Sequence, residues 1–141
     1  MSRIQGNREG ARMRAFRVLG AVIAASIMMG SAYAAEFHPF SREAFAQAQA
    51  AGRPILVEAH ADWCPTCRAQ APVVRRAAAA PEFADLVVFT LDFDVQTAER
   101  RALGIRAQST LIMFDGRTET ARSVGDTDQG RISALLRTAM R

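Results

Sequence analysis

The feature that most restricts this chain is a Cys-x-x-Cys pair placed where one periodicity gives way to another. Residues 55–61 (ILVEAHA) form an apolar run of strand length. Trp63-Cys64-Pro65-Thr66-Cys67-Arg68 follows at once, and a helical pattern runs from Cys64 to Ala80. Two cysteines three positions apart on a helix lie about one turn from each other, close enough for a disulfide without large backbone movement. Pro65 suits the first turn, where its missing N–H costs nothing. Cys64 is expected at the exposed helix start, where unpaired N–H groups favour a thiolate, and Cys67 one turn deeper, placed to resolve a mixed disulfide. The same pair also admits half of a metal or iron–sulfur site, or an inert structural disulfide in a non-catalytic binding domain.

Around this junction the chain alternates strand and helix signals. Ser41 caps an expected helix through Ala51, with Gly52 as its stop. Pro72 is expected to kink the helix after the cysteines, and Pro81 closes it. Leu86 to Phe93 reads as a central strand and Gln96 to Leu103 as a short helix ended by Gly104. Leu111 to Phe114 and Glu119 to Val124 form strands joined at Asp115-Gly116, and Arg131 to Met140 closes as an amphipathic helix. The order α-β-α-β-α-β-β-α, without repeat or linker, predicts one α/β domain with a central sheet covered on both faces.

Charge places the partners. All 18 basic residues are Arg. Residues 1–34 carry five of them against one acid, whereas residues 35–141 carry 13 Arg against 13 acids. The body of the chain is neutral, with no basic stripe for nucleic acid. Two His and two Cys, far from zinc-finger spacing, argue against a structural zinc site. Arg12, Arg14 and Arg17 precede a 12-residue apolar run, Val18 to Met29, and then Ala32-Tyr33-Ala34. That is the pattern of a secretory signal peptide over residues 1–34, cleaved after Ala34, leaving a domain over residues 35–141. The expected location is periplasmic or secreted, the alternative being an N-terminal membrane anchor.

Residues 55–72, ILVEAHADWCPTCRAQAP, resemble the active-site segment of thioredoxins, including the proline five residues after the second cysteine. Gly104-Ile105-Arg106, Thr110 to Phe114 and Val124-Gly125 resemble the later thioredoxin segment. The lead-in is most similar to exported thioredoxin-like proteins and to the C-terminal thioredoxin domain of the transmembrane thiol–disulfide interchange protein. The resemblance spans essentially residues 37–141 and implies a thioredoxin-like fold, a central mixed β-sheet flanked by helices. It also implies thiol–disulfide exchange through a redox-active Cys64–Cys67 disulfide, with no other cofactor and no metal. Reduction is the implied direction, on client protein disulfides, by a monomer recharged by a membrane electron-transfer donor. Glu58 matches the buried acid behind the disulfide, its pKa raised by desolvation so that it accepts or relays the Cys67 proton. His60 stands at a usually aromatic position and reads as a packing replacement. Trp63 is expected to cover the disulfide and help form the docking surface. Ser109 takes the place of the family's cis-proline. Gln108 and Ser109 are therefore expected either to offer substrate a reshaped backbone edge on a trans bond or to be held in a strained cis bond by surrounding packing, with the sulfurs left less shielded.

Overall fold

The computed structural model describes residues 34–141, so all of the expected leader but Ala34 lies outside it. Five strands and four helices follow in the order β1 (Glu36–Pro39), α1 (Arg42–Ala50), β2 (Pro54–His60), α2 (Pro65–Ala78), β3 (Val87–Asp92), α3 (Thr97–Ala102), β4 (Thr110–Asp115), β5 (Thr118–Val124) and α4 (Gln129–Arg137). A single 3-10 turn, Pro81–Phe83, lies between α2 and β3. The strands make one mixed sheet in the spatial order β1-β3-β2-β4-β5. β1 and β2 run parallel to β3, whereas β2 pairs antiparallel with β4 and β4 with β5.

The alternation of the strands builds two cores. Leu56, Val88, Leu111 and Met113 face α2 and α4, where Val73, Val74, Ile132 and Leu136 meet them. Ile55, Val57, Phe89 and Phe114 point the other way, onto Ala44, Phe45 and Ala48 of α1. Both faces are covered, as the alternation of elements requires. The helix starts match their caps: Ser41 Oγ accepts from the Ala44 N–H at 3.1 Å, and Asp128 Oδ1 from the Arg131 N–H at 2.8 Å. α2 runs through Pro72 as one continuous helix, forgoing the hydrogen bond that an N–H at that position would make one turn back. The two-residue β4–β5 connection is Gly116-Arg117, with Gly116 at φ 57°, in the left-handed region that glycine enters freely.

One element differs from expectation. β1 precedes α1, so the order begins with a strand rather than a helix. It is four residues long and largely exposed, with a single hydrophobic residue, Phe37, in its middle. An edge strand this short leaves no alternation to read; it exists because β3 offers it a free parallel edge. Among the described residues no helix is long and apolar enough to cross a membrane.

Candidate active site

β2 ends at His60 and α2 begins at Pro65, so the four intervening residues deliver both cysteines to the C-terminal edge of the sheet. Cys64 is the N-cap of α2, and its Sγ accepts from the Cys67 N–H at 3.2 Å. That bond satisfies one of the donors every helix leaves unpaired at its start, and it favours negative charge on Cys64. Burial pushes the Cys64 thiol up, but hydrogen bonds from Cys67, Ser109 and the Cys67 and Thr66 backbone outweigh it, and the net shift is downward. Cys67 moves the opposite way: burial and the neighbouring Cys64 raise it more than Ser109 and Ala61 lower it. The two sulfurs are thus chemically unequal in the sense their helical positions suggest.

Their exposure is not as expected. Cys64 is 2% exposed and Cys67 1%, so both residues are enclosed, with Cys67 the deeper of the two. Ala61 and Phe93 pack with them, and the wall across from the helix is Ser109. Its Oγ lies 3.0 Å from Cys67 Sγ and 3.5 Å from Cys64 Sγ. The replacement of proline by serine therefore fills the space beside the sulfurs with a hydroxyl and does not leave them less shielded.

Ser109 is held from three sides. Its N–H donates to the Ala59 carbonyl of β2 at 2.8 Å, and its carbonyl accepts from the Gly125 N–H at 2.9 Å. That carbonyl also accepts from Gln70 Nε2 at 3.2 Å, and the same amide nitrogen reaches the Asp126 carbonyl at 2.8 Å. Ser109 is the one non-glycine residue with positive φ among those described, at 59°. The backbone at Ser109 takes a form proline cannot adopt, since its ring holds φ near −65°. Gln108 is half-buried beside it.

Glu58 is 4% exposed on the sheet face that α2 covers, paired across β3 with Thr90 and across β4 with Leu111. Desolvation raises its pKa, against the opposing pull of His60 and Arg75, and its Oε1 has no hydrogen-bond partner. Trp63 is 58% exposed, with Nε1 donating to Asp94 Oδ2 at 2.7 Å. It therefore stands largely open to solvent and forms one wall of a cleft of about 600 Å³ together with His60, Asp62, Arg75, Thr90 and Val95. His60 Nε2 lies 3.4 Å from Asp62 Oδ1. Neither cysteine lines the cleft, which lies beside the sulfur pair rather than over it.

Sequence reasoning missed Gln70, which is fully buried on α2 and clamps Ser109. The available signal was a glutamine three residues after Cys67 on the face that carries Val73, Val74 and Ala77.

The thioredoxin family model matches residues 36–138. A thioredoxin of Chlamydia muridarum is 32% identical over 96 residues, covering 68% of this chain and 91% of that protein. Protein disulfide-isomerase erp38 of Neurospora crassa is 37% identical over 70 residues, 48% of this chain but 19% of that longer protein. The crystal structure of Trxlp from Edwardsiella tarda superimposes with a TM-score of 0.70 at 40% identity, covering 72% of this chain and 98% of that one. A mixed sheet covered on both faces, with an N-capping cysteine and its partner one turn into the same helix, defines a thiol–disulfide oxidoreductase of the thioredoxin class. The chain belongs to the thioredoxin family.

Proposed function

We propose that this protein is an exported protein-disulfide reductase. Cys64 attacks a client disulfide as the thiolate, and Cys67 then attacks Cys64, releasing the reduced client and leaving a Cys64–Cys67 disulfide. The observation that carries this reading is the inequality of the sulfurs: Cys64 caps α2 and is held down in pKa, while Cys67 is held up. Glu58, desolvated on the strand that leads into the pair, takes the Cys67 proton through water as resolution begins. Trp63 and the backbone of Gln108 form the client-docking surface on either side of the pair, whereas the Ser109 backbone, expected to take part, is already engaged by Ala59, Gly125 and Gln70.

The leader composition supports export, and similarity of the lead-in to reductive members of the family supports reduction. The connection between β3 and β4 holds only the six-residue α3, so no inserted helical domain intervenes there. An exported reductase draws electrons from the cytoplasm, so a membrane electron-transfer donor is its upstream partner, and it works as a monomer. The test is catalysis of insulin disulfide reduction by dithiothreitol. The wild type accelerates it and Cys64→Ser does not; a wild type no faster than dithiothreitol alone refutes the reading.

A further inference from the structure

Two nucleophilic sulfurs share one hydroxyl. Ser109 Oγ is within hydrogen-bond distance of both Cys64 and Cys67, on a residue 2% exposed. The backbone cannot drift from this position, because Ala59, Gly125 and Gln70 hold the Ser109 N–H and carbonyl. A serine in the left-handed region costs roughly 1–2 kcal/mol relative to ordinary backbone. The chain carries that strain at the one place where it puts a hydroxyl within reach of both sulfurs.

A hydroxyl has one donor, two acceptor lone pairs and a freely rotating hydrogen. Against a dithiol it accepts from whichever sulfur is protonated and donates to whichever is ionised. We propose that Ser109 is a catalytic residue, whose hydroxyl donates in turn to the Cys64 thiolate before attack and to the Cys67 thiolate during resolution. This rests on the reductase chemistry given above and deepens it.

In the resting dithiol, the Cys67 S–H is shared between Ser109 Oγ and the Cys64 sulfur, and the serine hydrogen points to Cys64. When Cys64 attacks, its S–S bond to the client forms, the client disulfide breaks, and the departing client sulfur leaves as thiolate to be protonated by water. Cys64 is now a neutral disulfide sulfur and a poor acceptor. The serine hydrogen then turns to Cys67, whose proton passes to Glu58. Cys67 forms its bond to Cys64, and the second client sulfur leaves with the electron pair of the broken mixed disulfide. The protein is oxidised by two electrons and the client disulfide is reduced by two.

The downward shift of Cys64 and the restraint on the upward shift of Cys67 both include Ser109 among their causes, as a shared donor requires. The ionisable side chains on the elements around it are Cys67, Arg68, Arg75 and Arg76 on α2, Glu58 and His60 on β2, Asp62 after it, and Asp126 beyond β5. Asp126 is engaged by Arg131 at 3.0 Å. Of these, Cys67 is the one that bears on Cys64.

The test compares Ser109→Ala with Ser109→Gly. Both lose the hydroxyl, but glycine enters φ 59° freely, so the pair separates the hydroxyl from the backbone. Two readouts are taken on folded, reduced protein: iodoacetamide alkylation of Cys64 against pH, and single-turnover reaction with an aromatic disulfide that releases one coloured thiolate on attack and a second on resolution. In both variants the alkylation curve should move to higher pH, and both release phases should slow about tenfold, the low end of a hydrogen bond to a charged group. If Ser109→Gly keeps the wild-type curve and both rates, the hydroxyl does nothing and the proposal falls while the reductase reading stands. If the wild type itself releases no coloured thiolate, the reductase reading falls and takes this one with it. Where Ser109→Ala does not fold, Ser109→Gly alone decides.

Discussion

Gln70 Nε2 donates to the carbonyl of Ser109 at 3.2 Å, so the helix that carries both cysteines also carries the clamp on the hydroxyl facing them. The geometry between hydroxyl and sulfurs is therefore set by α2 together with the bonds from Ser109 to Ala59 of β2 and to Gly125. Gln70→Glu should expose how much depends on that clamp. Its carboxylate would face the carbonyls of Ser109 and Asp126, two acceptors, in a fully buried site. An unpaired buried charge costs about 3–5 kcal/mol. The folded-state pKa of the new carboxyl would be raised, so the loss should appear as pH rises through that pKa and be largely absent below the unfolded-state value. Urea unfolding at acidic and neutral pH measures it; equal stability of Gln70→Glu and wild type at neutral pH contradicts the clamp.

Ser109→Pro restores the residue that the family places here, and the structure gives it two faults. Proline cannot reach φ 59°, and it lacks the N–H that Ser109 donates to Ala59 at 2.8 Å. The variant should lose about 3 kcal/mol or more of stability, with slower disulfide exchange. A thermal unfolding midpoint at or above the wild type's would mean that the loop has a second, proline-compatible form.

Glu58 makes a prediction whose sign is opposite to that of a salt-bridged acid. Its pKa is raised in the folded chain, chiefly by desolvation, so the native state holds more protons than the unfolded one just above the ordinary carboxylate range. Wild-type stability should fall as pH rises from that range through the raised folded value. Glu58→Gln removes this dependence: near-equal stability at acidic pH, and a more stable variant at neutral pH. The same substitution should slow resolution by Cys67 on the order of 100-fold while sparing the first attack by Cys64. Denaturant titrations across pH and the two-phase release assay check both halves.

Trp63 separates docking from chemistry. It is more than half exposed and its indole N–H bonds only to the surface residue Asp94. Trp63→Ala should change stability by no more than about 0.5 kcal/mol. It should raise KM for a protein disulfide several-fold and leave the rate with a small aromatic disulfide unchanged. Equal losses on both substrates would place Trp63 in the chemistry instead.

Much of this architecture was legible in the chain, for local reasons. The Ser41 cap, the strand-to-helix junction at the cysteines and the Asp115-Gly116 hairpin are each written in a few adjacent residues, and each forms as read. Glu58 is expected as a buried acid only through the resemblance to thioredoxins, and it is buried. What escaped depends on segments distant in sequence. Cys64 looks exposed on its helix alone; Ser109, 45 positions later, helps enclose it. The left-handed backbone of Ser109 follows from bonds to Ala59 and Gly125, and Gln70 becomes a clamp only once α2 lies against that loop. β1 exists only because β3 has an open edge.

The most direct test of the account is which cysteine captures a client. Cys67→Ser and Cys64→Ser are each exposed to a disulfide-bonded polypeptide, quenched with acid, and analysed by intact mass and peptide mapping. With Cys64 the attacking sulfur, Cys67→Ser should accumulate a mixed disulfide through Cys64, while Cys64→Ser accumulates little. Capture predominantly through Cys67 in the Cys64→Ser variant, with none in Cys67→Ser, would contradict it.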